Sequence, residues 1–346
     1  MGERSSALLS VIVPCFNEQE VIRATNQRLI DALGDNPEFA VEIVYVNDGS
    51  FDRTEEILFD LAEGDNRVRV ISLSRNFGHQ PAVTAGLTHA VGDVVAVLDA
   101  DLQDPPEVIL QMIDKWREGF DVVYGVRFKR KEGLFKRFWY ASFYRLYSLL
   151  ANIEVQPDSG DFALLDRRVV DLINSLPEKN RFVRGLRAWA GFRQTSLVYE
   201  RAARAAGKTK YPFHKLMKLA FDGIFDFSTA PLTFIFITGV IISLTSVLAA
   251  IVYTVAHIGD FTIFGRSPGD VPGFTTIILA ILFFSGVQLI SVGILGEYLG
   301  RVYQEAKMRP TYVVKEVRGE PSVSRVQADE TDERNSNLPS SGATNR

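Results

Sequence analysis

Cysteine is nearly missing from this chain of 346 residues: Cys15 stands alone, so no intrachain disulfide can form. Histidine is almost as scarce. His79, His89, His214 and His257 are scattered and do not combine with Cys15 into the ligand spacing of a zinc site. The glycine-rich fingerprints of phosphate binding are also missing. No GxGxxG follows the first β-rich run and no GxxxxGK[ST] occurs, which argues against a dinucleotide dehydrogenase or a P-loop NTPase. The opening residues MGERSSALLS carry no basic stretch followed by an apolar core, so no cleaved signal peptide is read there and the N-terminus is expected in the cytoplasm. A basic excess is lacking as well: 38 Lys+Arg against 42 Asp+Glu leave a net charge of -4. That balance argues against nucleic acid as the main partner unless basic residues cluster locally.

Charge itself is missing from two stretches near the C-terminus. Residues 231–256 and 273–296 contain none, and each exceeds the roughly 20 residues that cross a bilayer. Core helices of soluble proteins rarely run this long without a polar face, so two membrane spans are expected. The loop between them has one Arg and no Lys, whereas Arg201, Arg204, Lys208, Lys210, Lys215 and Lys218 precede the first run and Arg301, Lys307 and Arg309 follow the second. The positive-inside rule then puts both long ends in the cytoplasm.

The first part of the chain alternates β-rich and helical runs. Strands are expected over 8–14, 41–47, 68–73, 93–99 and 121–126, with helices between them, which implies a mostly parallel sheet covered on both faces. Ligands of such sheets bind beyond the carboxyl ends of the strands. Two later stretches, 133–152 and 208–227, interleave aromatics with Lys and Arg. Residues 127–145 alone hold seven basic residues against one acid, Glu132. Such segments fit the headgroup region of a membrane, apolar side inward and cations toward lipid phosphate. Either stretch alone would read equally as a solvated amphipathic helix. The strand-like run TYVVKEV, 311–317, has the pattern to pair with the sheet or with a neighbouring copy. From about Gly319 the chain is polar and reads as a disordered tail.

Chemistry-bearing residues lie where the strands end. Asp99-Ala100-Asp101-Leu102-Gln103-Asp104 leaves the fourth strand. Two carboxylates separated by one residue can hold Mg2+ or Mn2+ and leave positions for phosphate oxygens. A lone DxD also reads as a helix cap ahead of Pro105-Pro106; its position after several β/α units favours the ligand site. Pro14-Cys15-Phe16-Asn17-Glu18 follows the first strand and Asn47-Asp48-Gly49-Ser50 the second. These turns suit recognition of a nucleotide, and each alone would equally be a capping turn.

VIVPCFNE, VNDGS, SRNFGHQPAV, DADLQDPPE, VYGVR and SGDFALLDR, in this order and followed by two apolar runs, resemble the family-2 glycosyltransferases that charge polyprenyl phosphate. Relatives of that type include dolichol-phosphate mannose synthase and, more closely, the bacterial polyprenyl-phosphate glucosyltransferases. The resemblance covers roughly residues 8–317. It implies an α/β GT-A fold, Rossmann-like with a mostly parallel sheet, plus two C-terminal transmembrane helices. The implied layout is a nucleotide-sugar-binding part over 1–132, an acceptor-side part over 133–228, the two spans over 229–300, a cytoplasmic segment over 301–318 and the tail over 319–346.

By the same resemblance, Asp99 and Asp101 hold the divalent metal with Gln103 as a third ligand. Pro14, Phe16, Glu18 and Asp48 line the nucleotide pocket. Asp161, in a Ser159–Phe162 turn, matches a position proposed as catalytic, and Arg127 and Arg137 match cations that bind the acceptor phosphate. Arg201 belongs to the similar Tyr199-Glu200-Arg201 segment. The implied reaction is an inverting transfer of a hexose, with UDP-glucose favoured as donor over GDP-mannose or another UDP-sugar. The implied acceptor is polyprenyl phosphate at the cytoplasmic face of the inner membrane, and the implied assembly is a homo-oligomer such as a tetramer. A processive polysaccharide synthase would carry a QxxRW motif, which RFVRGLRAWAG at 181–191 lacks. A noncatalytic lipid-binding scaffold would have no need of both Asp99 and Asp101.

Overall fold

The computed structural model describes residues 7–34, 36–127, 159–179, 181–200, 230–259 and 274–321. The two basic aromatic stretches, Arg137, Arg201 and nearly all of the expected tail lie outside the described residues.

The β-rich runs form the centre of an eight-stranded sheet with the order β7-β5-β6-β4-β1-β2-β3-β8. β1 (Ala7–Cys15) and β2 (Phe39–Asn47) pair in parallel over their full length, β3 (Val68–Leu73) adds beside β2, and β4 (Val94–Val97) adds on the other side of β1. These strands are mostly apolar on both faces because helices cover both. Leu9, Val11, Val13, Ile43, Tyr45 and Val70 are all buried in one continuous core. Burying side chains of this size contributes roughly 1.5–3 kcal/mol each.

The covering helices are α1 (Ile22–Leu33), α2 (Thr54–Gly64), α3 (His79–His89) and α4 (Val108–Arg117). α4 buries Ile109, Met112, Ile113 and Trp116, an i, i+3, i+4, i+7 stripe. α3 approaches the sheet closely at Gly86, where a Cβ would lie 2.2 Å from Ile12 Cγ2.

The sheet departs from a purely parallel one on its far side. β5 (Val122–Arg127) and β7 (Gln194–Tyr199) are parallel to each other, but β6 (Ser159–Asp166) runs antiparallel between β4 and β5. The expectation of a turn at Ser159–Phe162 is therefore corrected. These residues are strand, with Ala163 paired to both Val97 and Tyr124, and Phe162 and Leu164 packed in the core. α5 (Arg167–Ser175) follows β6 directly and is capped by Asp166, whose side chain accepts from the Arg168 backbone N–H. α6 (Val183–Trp189) comes next.

Both charge-free runs are helical: α7 (Ala230–Ile258) has 29 residues and α8 (Phe274–Ala306) has 33. At 1.5 Å per residue their lengths are about 43 and 50 Å. Among the described residues one segment, Phe283–Ala306, is long and apolar enough to cross a membrane. Phe234, Phe236, Ile241, Leu244, Ile281, Phe283 and Leu289 are exposed on these helices. The chain divides into two units, one built on the sheet and one containing the long helices. From Pro310 the chain belongs to the sheet unit again. There β8 (Val314–Arg318) pairs antiparallel with β3, as the strand-like run at 311–317 led one to expect. Lys315 adds an ion pair to Glu55 at 3.1 Å.

Candidate active site

Because β1, β2, β3 and β4 run the same way, the turns that leave them gather at one edge of the sheet. The first two are joined by hydrogen bonds. Asn17 N–H donates to Ser50 Oγ at 3.0 Å, Phe51 N–H to Asn17 Oδ1 at 2.8 Å, and Glu18 N–H to Thr54 Oγ1 at 2.9 Å. Asn17 holds a left-handed backbone with φ of 54°. Phe16 meets Phe51 edge to face at 5.8 Å, and Phe51 stands out into solvent. Pro14 is buried within β1, opposite Val46.

Asp48 is buried and occupied by the loop after β3. Its Oδ1 accepts from Phe77 N–H at 2.7 Å and its Oδ2 from Gly78 N–H at 2.9 Å. Burial raises its pKa, and the two amide hydrogen bonds offset only part of that. Gly49 makes this packing possible. It has φ of 63°, and a Cβ there would lie 2.3 Å from the Arg75 carbonyl carbon. The carboxylate thus ties the end of β2 to the loop that starts α3 at His79.

The acidic turn after β4 is half-buried. Asp101 Oδ1 accepts from Gln103 N–H at 3.1 Å, and Leu102 between them takes φ of 57°. Thr25 Oγ1 on α1 donates to Ala100 O at 2.8 Å, which fixes the turn from behind. Tyr199 on β7 donates its hydroxyl to Asp104.

The antiparallel course of β6 completes the site. With Val97 paired to Ala163, two more residues along each strand bring Asp161 to the level of Asp99. His79 sits between them, its Nε2 3.2 Å from Asp161 Oδ2 and 3.9 Å from Asp99 Oδ1. Gln80 Nε2 also donates to Asp161 Oδ2 at 3.2 Å. Arg184 on α6 places Nη2 3.5 Å from Asp161 Oδ1. Arg187, one turn on, is buried with its guanidinium 5.1 Å from the Tyr124 ring centre.

These neighbours give the two carboxyl groups opposite character. Burial pushes Asp99 up; His79 pulls it back, and the charges of Asp161, Asp104 and Asp101 raise it further. Burial also acts on Asp161, but Arg184 and His79 outweigh it and hold that carboxyl well below the usual range. For His79, burial opposes the charge, yet the hydrogen bond and charge of Asp161, with Asp99 beyond, lift its pKa to about 9. Burial and the nearby Arg184 lower Arg187 to about 10. At neutral pH the cluster therefore holds an imidazolium and two guanidiniums around one firmly ionised carboxylate.

The structure brings Asp99, Asp101, Gln103 and Asp161 to the same edge as Pro14, Phe16, Glu18 and Asp48. Arg127 is the last residue of β5, paired with Tyr199. Arg137 and Arg201 lie outside the described residues. His79, Gln80 and Arg184 were not singled out from sequence. A signal existed for the first two, since they follow β3 within the SRNFGHQPAV run at the edge where ligands bind. Arg184 had none, because α6 reaches the site only through tertiary packing.

Residues 10–173 match the family model described as glycosyl transferase family 2. The chain is 47% identical over 311 residues to the uncharacterized glycosyltransferase YkcC of Bacillus subtilis (strain 168), covering 90% of this chain and 94% of that one. It is 41% identical over 311 residues to the prophage bactoprenol glucosyl transferase homolog of Escherichia coli (strain K12), covering 90% of this chain and 99% of that one. It is also 42% identical to the bactoprenol glucosyl transferase of Shigella phage SfII, over 90% of this chain and 99% of that one. Among solved structures, glucosyl-3-phosphoglycerate synthase from Mycobacterium tuberculosis covers 63% of this chain and 78% of its own at 21% identity with a TM-score of 0.41. A likeness that distant carries no argument about the site. The kinship over nearly the full length of the relatives, with the family motifs gathered at one edge of an α/β sheet, establishes that the chain belongs to glycosyltransferase family 2 and is related to the bactoprenol glucosyl transferases.

Proposed function

We propose that this protein transfers a hexose, with inversion, from UDP-glucose to polyprenyl phosphate at the cytoplasmic face of the inner membrane. The observation that carries this reading is the similarity to bactoprenol glucosyl transferases along 98–99% of their length, including the stretch that holds the two long helices. The site supports a mechanism of that kind. A lipid phosphate is anionic at neutral pH and attacks an anomeric carbon without a strong base. Asp161 is suited to a different task. With Oδ2 engaged by His79 and Gln80 and Oδ1 facing Arg184, it is a weak proton acceptor and a firm acceptor of a sugar hydroxyl's hydrogen bond. His79 places positive charge beside Asp99, next to where negative charge develops as the nucleotide diphosphate departs.

The acidic turn also fits a divalent cation. Hard carboxylate oxygens suit Mg2+ or Mn2+, and a cation would offset the burial and the neighbouring carboxylate charges that raise Asp99. Among the described residues no group of three or more His, Cys, Asp or Glu side chains is arranged to hold a metal ion. Asp99 and Asp101 are the proposed carboxylate ligands, with Gln103 and the donor's diphosphate oxygens completing the set. A cation bound there supplies neutralisation of the leaving diphosphate. Arg127 and Arg137 are the proposed cations for the acceptor phosphate, and Pro14, Phe16, Glu18 and Asp48 the proposed wall of the nucleotide pocket, with Arg201 contributing from beyond β7.

Two membrane spans, α7 and α8, with both chain ends cytoplasmic, would keep this chemistry at the headgroup plane, and the stretches 133–152 and 208–227 would lie along the surface. Since Cys15 is buried, single cysteines introduced into the loop between the helices report topology by labelling from the periplasmic side. The deciding experiment follows labelled sugar from UDP-glucose, UDP-N-acetylglucosamine, UDP-galactose and GDP-mannose onto polyprenyl phosphate with the full chain. UDP-glucose is expected to be the best donor, and Asp99→Ala to lose at least about a thousandfold in rate. No transfer from any donor would overturn the reading.

A further inference from the structure

The side chain of Gln80 is engaged at both ends, and its two partners belong to different elements. Its Nε2 donates to Asp161 Oδ2 on β6 at 3.2 Å, while its Oε1 accepts from the Val183 backbone N–H at the start of α6 at 2.9 Å. This fixes which way the amide faces. With Oε1 taken by a backbone donor, the NH2 group can only point at the carboxylate. Val183 precedes Arg184, which meets the other oxygen of the same carboxylate at 3.5 Å. One glutamine on α3 therefore holds Asp161 directly and also holds the first turn of the helix that supplies its arginine.

We propose that Gln80 is a positioning residue for Asp161: by bridging β6 and α6 it sets the orientation of the Asp161 carboxylate toward the reacting sugar and delivers Arg184 to its second oxygen. The proposal rests on the glycosyl-transfer reading, which it deepens by naming a residue that works without touching substrate. Two observations exclude simpler roles, and a third shows what the contact to α6 supplies. Gln80 is only half-buried, so filling a core is not its task. The residue before it, His79, already contacts Asp161 Oδ2, so Gln80 is not needed merely to pair a buried charge. The α6 backbone N–H it accepts from belongs to the first turn, where helix donors lack intrahelical partners, and the helix has no side-chain cap of its own at Phe182.

The test is a double-mutant cycle on the full-length protein in detergent or native membranes. Gln80→Leu is expected to lower kcat by about ten- to a hundredfold, with KM for the nucleotide sugar within about threefold, because a small misplacement acts mainly on the transition state. In an Asp161→Ala background the same change should cost less than about threefold, since the group it positions is gone. Gln80→Glu keeps shape and packing but turns an acceptor toward Asp161, so it should be as impaired as Gln80→Leu. Wild-type kcat in Gln80→Glu, or losses that multiply fully in the double variant, would overturn the proposal while leaving the transferase reading intact. An inactive wild type would instead count against the transferase reading. The positioning role is then decided by a structure of Gln80→Leu. A rotated Asp161 carboxylate with Arg184 displaced is expected, and an unmoved pair overturns it.

Discussion

The two edges of the central sheet hold similar pairs of charges in different company. At the edge where β1 and β2 begin, Glu42 is fully buried. Its Oε2 accepts from Ser10 Oγ at 2.5 Å and from Val91 N–H at 3.3 Å, and its Oε1 lies 3.9 Å from Arg69 Nη1. Ser10 Oγ accepts in turn from Gly92 N–H at 2.8 Å, and Arg69 donates to His89 O at 2.9 Å. At the opposite edge, Asp161 likewise has one oxygen hydrogen-bonded and the other facing an arginine. What differs is the next shell of groups. Around Glu42 the remaining partners are backbone atoms of the turn that enters β4, so the network locks that turn. Around Asp161 stand His79 and, beyond it, Asp99. A carboxylate tied to backbone atoms of a turn holds the fold together, whereas one paired beside a second, mutually repelling carboxylate is a candidate functional site.

This contrast can be broken at either edge. The largest expected effect is at the site: Asp161→Asn should lower kcat per folded molecule about a hundredfold or more, beyond the stability lost with the counter-charge of His79 and Arg184, read by transfer assay and thermal unfolding of the same preparation. At the opposite edge, Glu42→Ala should cost stability alone. Leaving Arg69 without its buried counter-charge costs about 3–5 kcal/mol, so the melting temperature falls by many degrees while kcat per folded molecule is retained. Wild-type stability in Glu42→Ala would remove the contrast altogether.

Gly49→Ala tests the link between the edge and the site. The left-handed backbone alone costs roughly 1–2 kcal/mol for alanine, and the Cβ would also press on the Arg75 backbone, so both stability and donor binding should fall. Unchanged KM for the nucleotide sugar would mean that Asp48 and its loop do not shape the pocket.

The smallest effect concerns pH. Asp166, buried, is pushed up by burial but held below the usual carboxylate range overall by hydrogen bonds from Trp116 Nε1 at 2.8 Å and from the Arg168 backbone and guanidinium, each at 3.0 Å. A depressed folded pKa contributes stability that is present above the unfolded value of about 3.9 and is lost as pH falls through the folded one. Asp166→Asn should therefore lower the melting temperature at pH 7 and flatten its fall below about pH 4. An identical acid profile in the variant would assign that fall to other carboxylates.

Much of this arrangement was legible in the residues. The runs at 8–14, 41–47, 68–73 and 93–99 are mostly apolar because they are buried on both faces, and they became β1 to β4 with small changes at their ends. The DxD turn could be placed because a strand that stops at two acids must end at the edge. The strand at 311–317 was visible from its alternation, although its partner, β3, was not. Ser159–Phe162 read as a turn, and its strand character depends on pairing with β4 and β5, far away in sequence. His79 could be placed only by its position after β3 in the SRNFGHQPAV run, since nothing local says which carboxylates a histidine will face.

By itself, the sequence determined the parallel centre of the sheet, the helical nature of the two charge-free runs and the gathering of the candidate site residues at the ends of the strands. Each follows from local periodicity and from the exclusion of charge. Only tertiary structure decided that β6 runs backward between β4 and β5, and that α6 approaches the same edge. Those two choices place Asp161, His79, Gln80 and Arg184 together beside Asp99. Long-range strand register and helix packing are settled by the joint burial of distant segments, and no local stretch of residues records them.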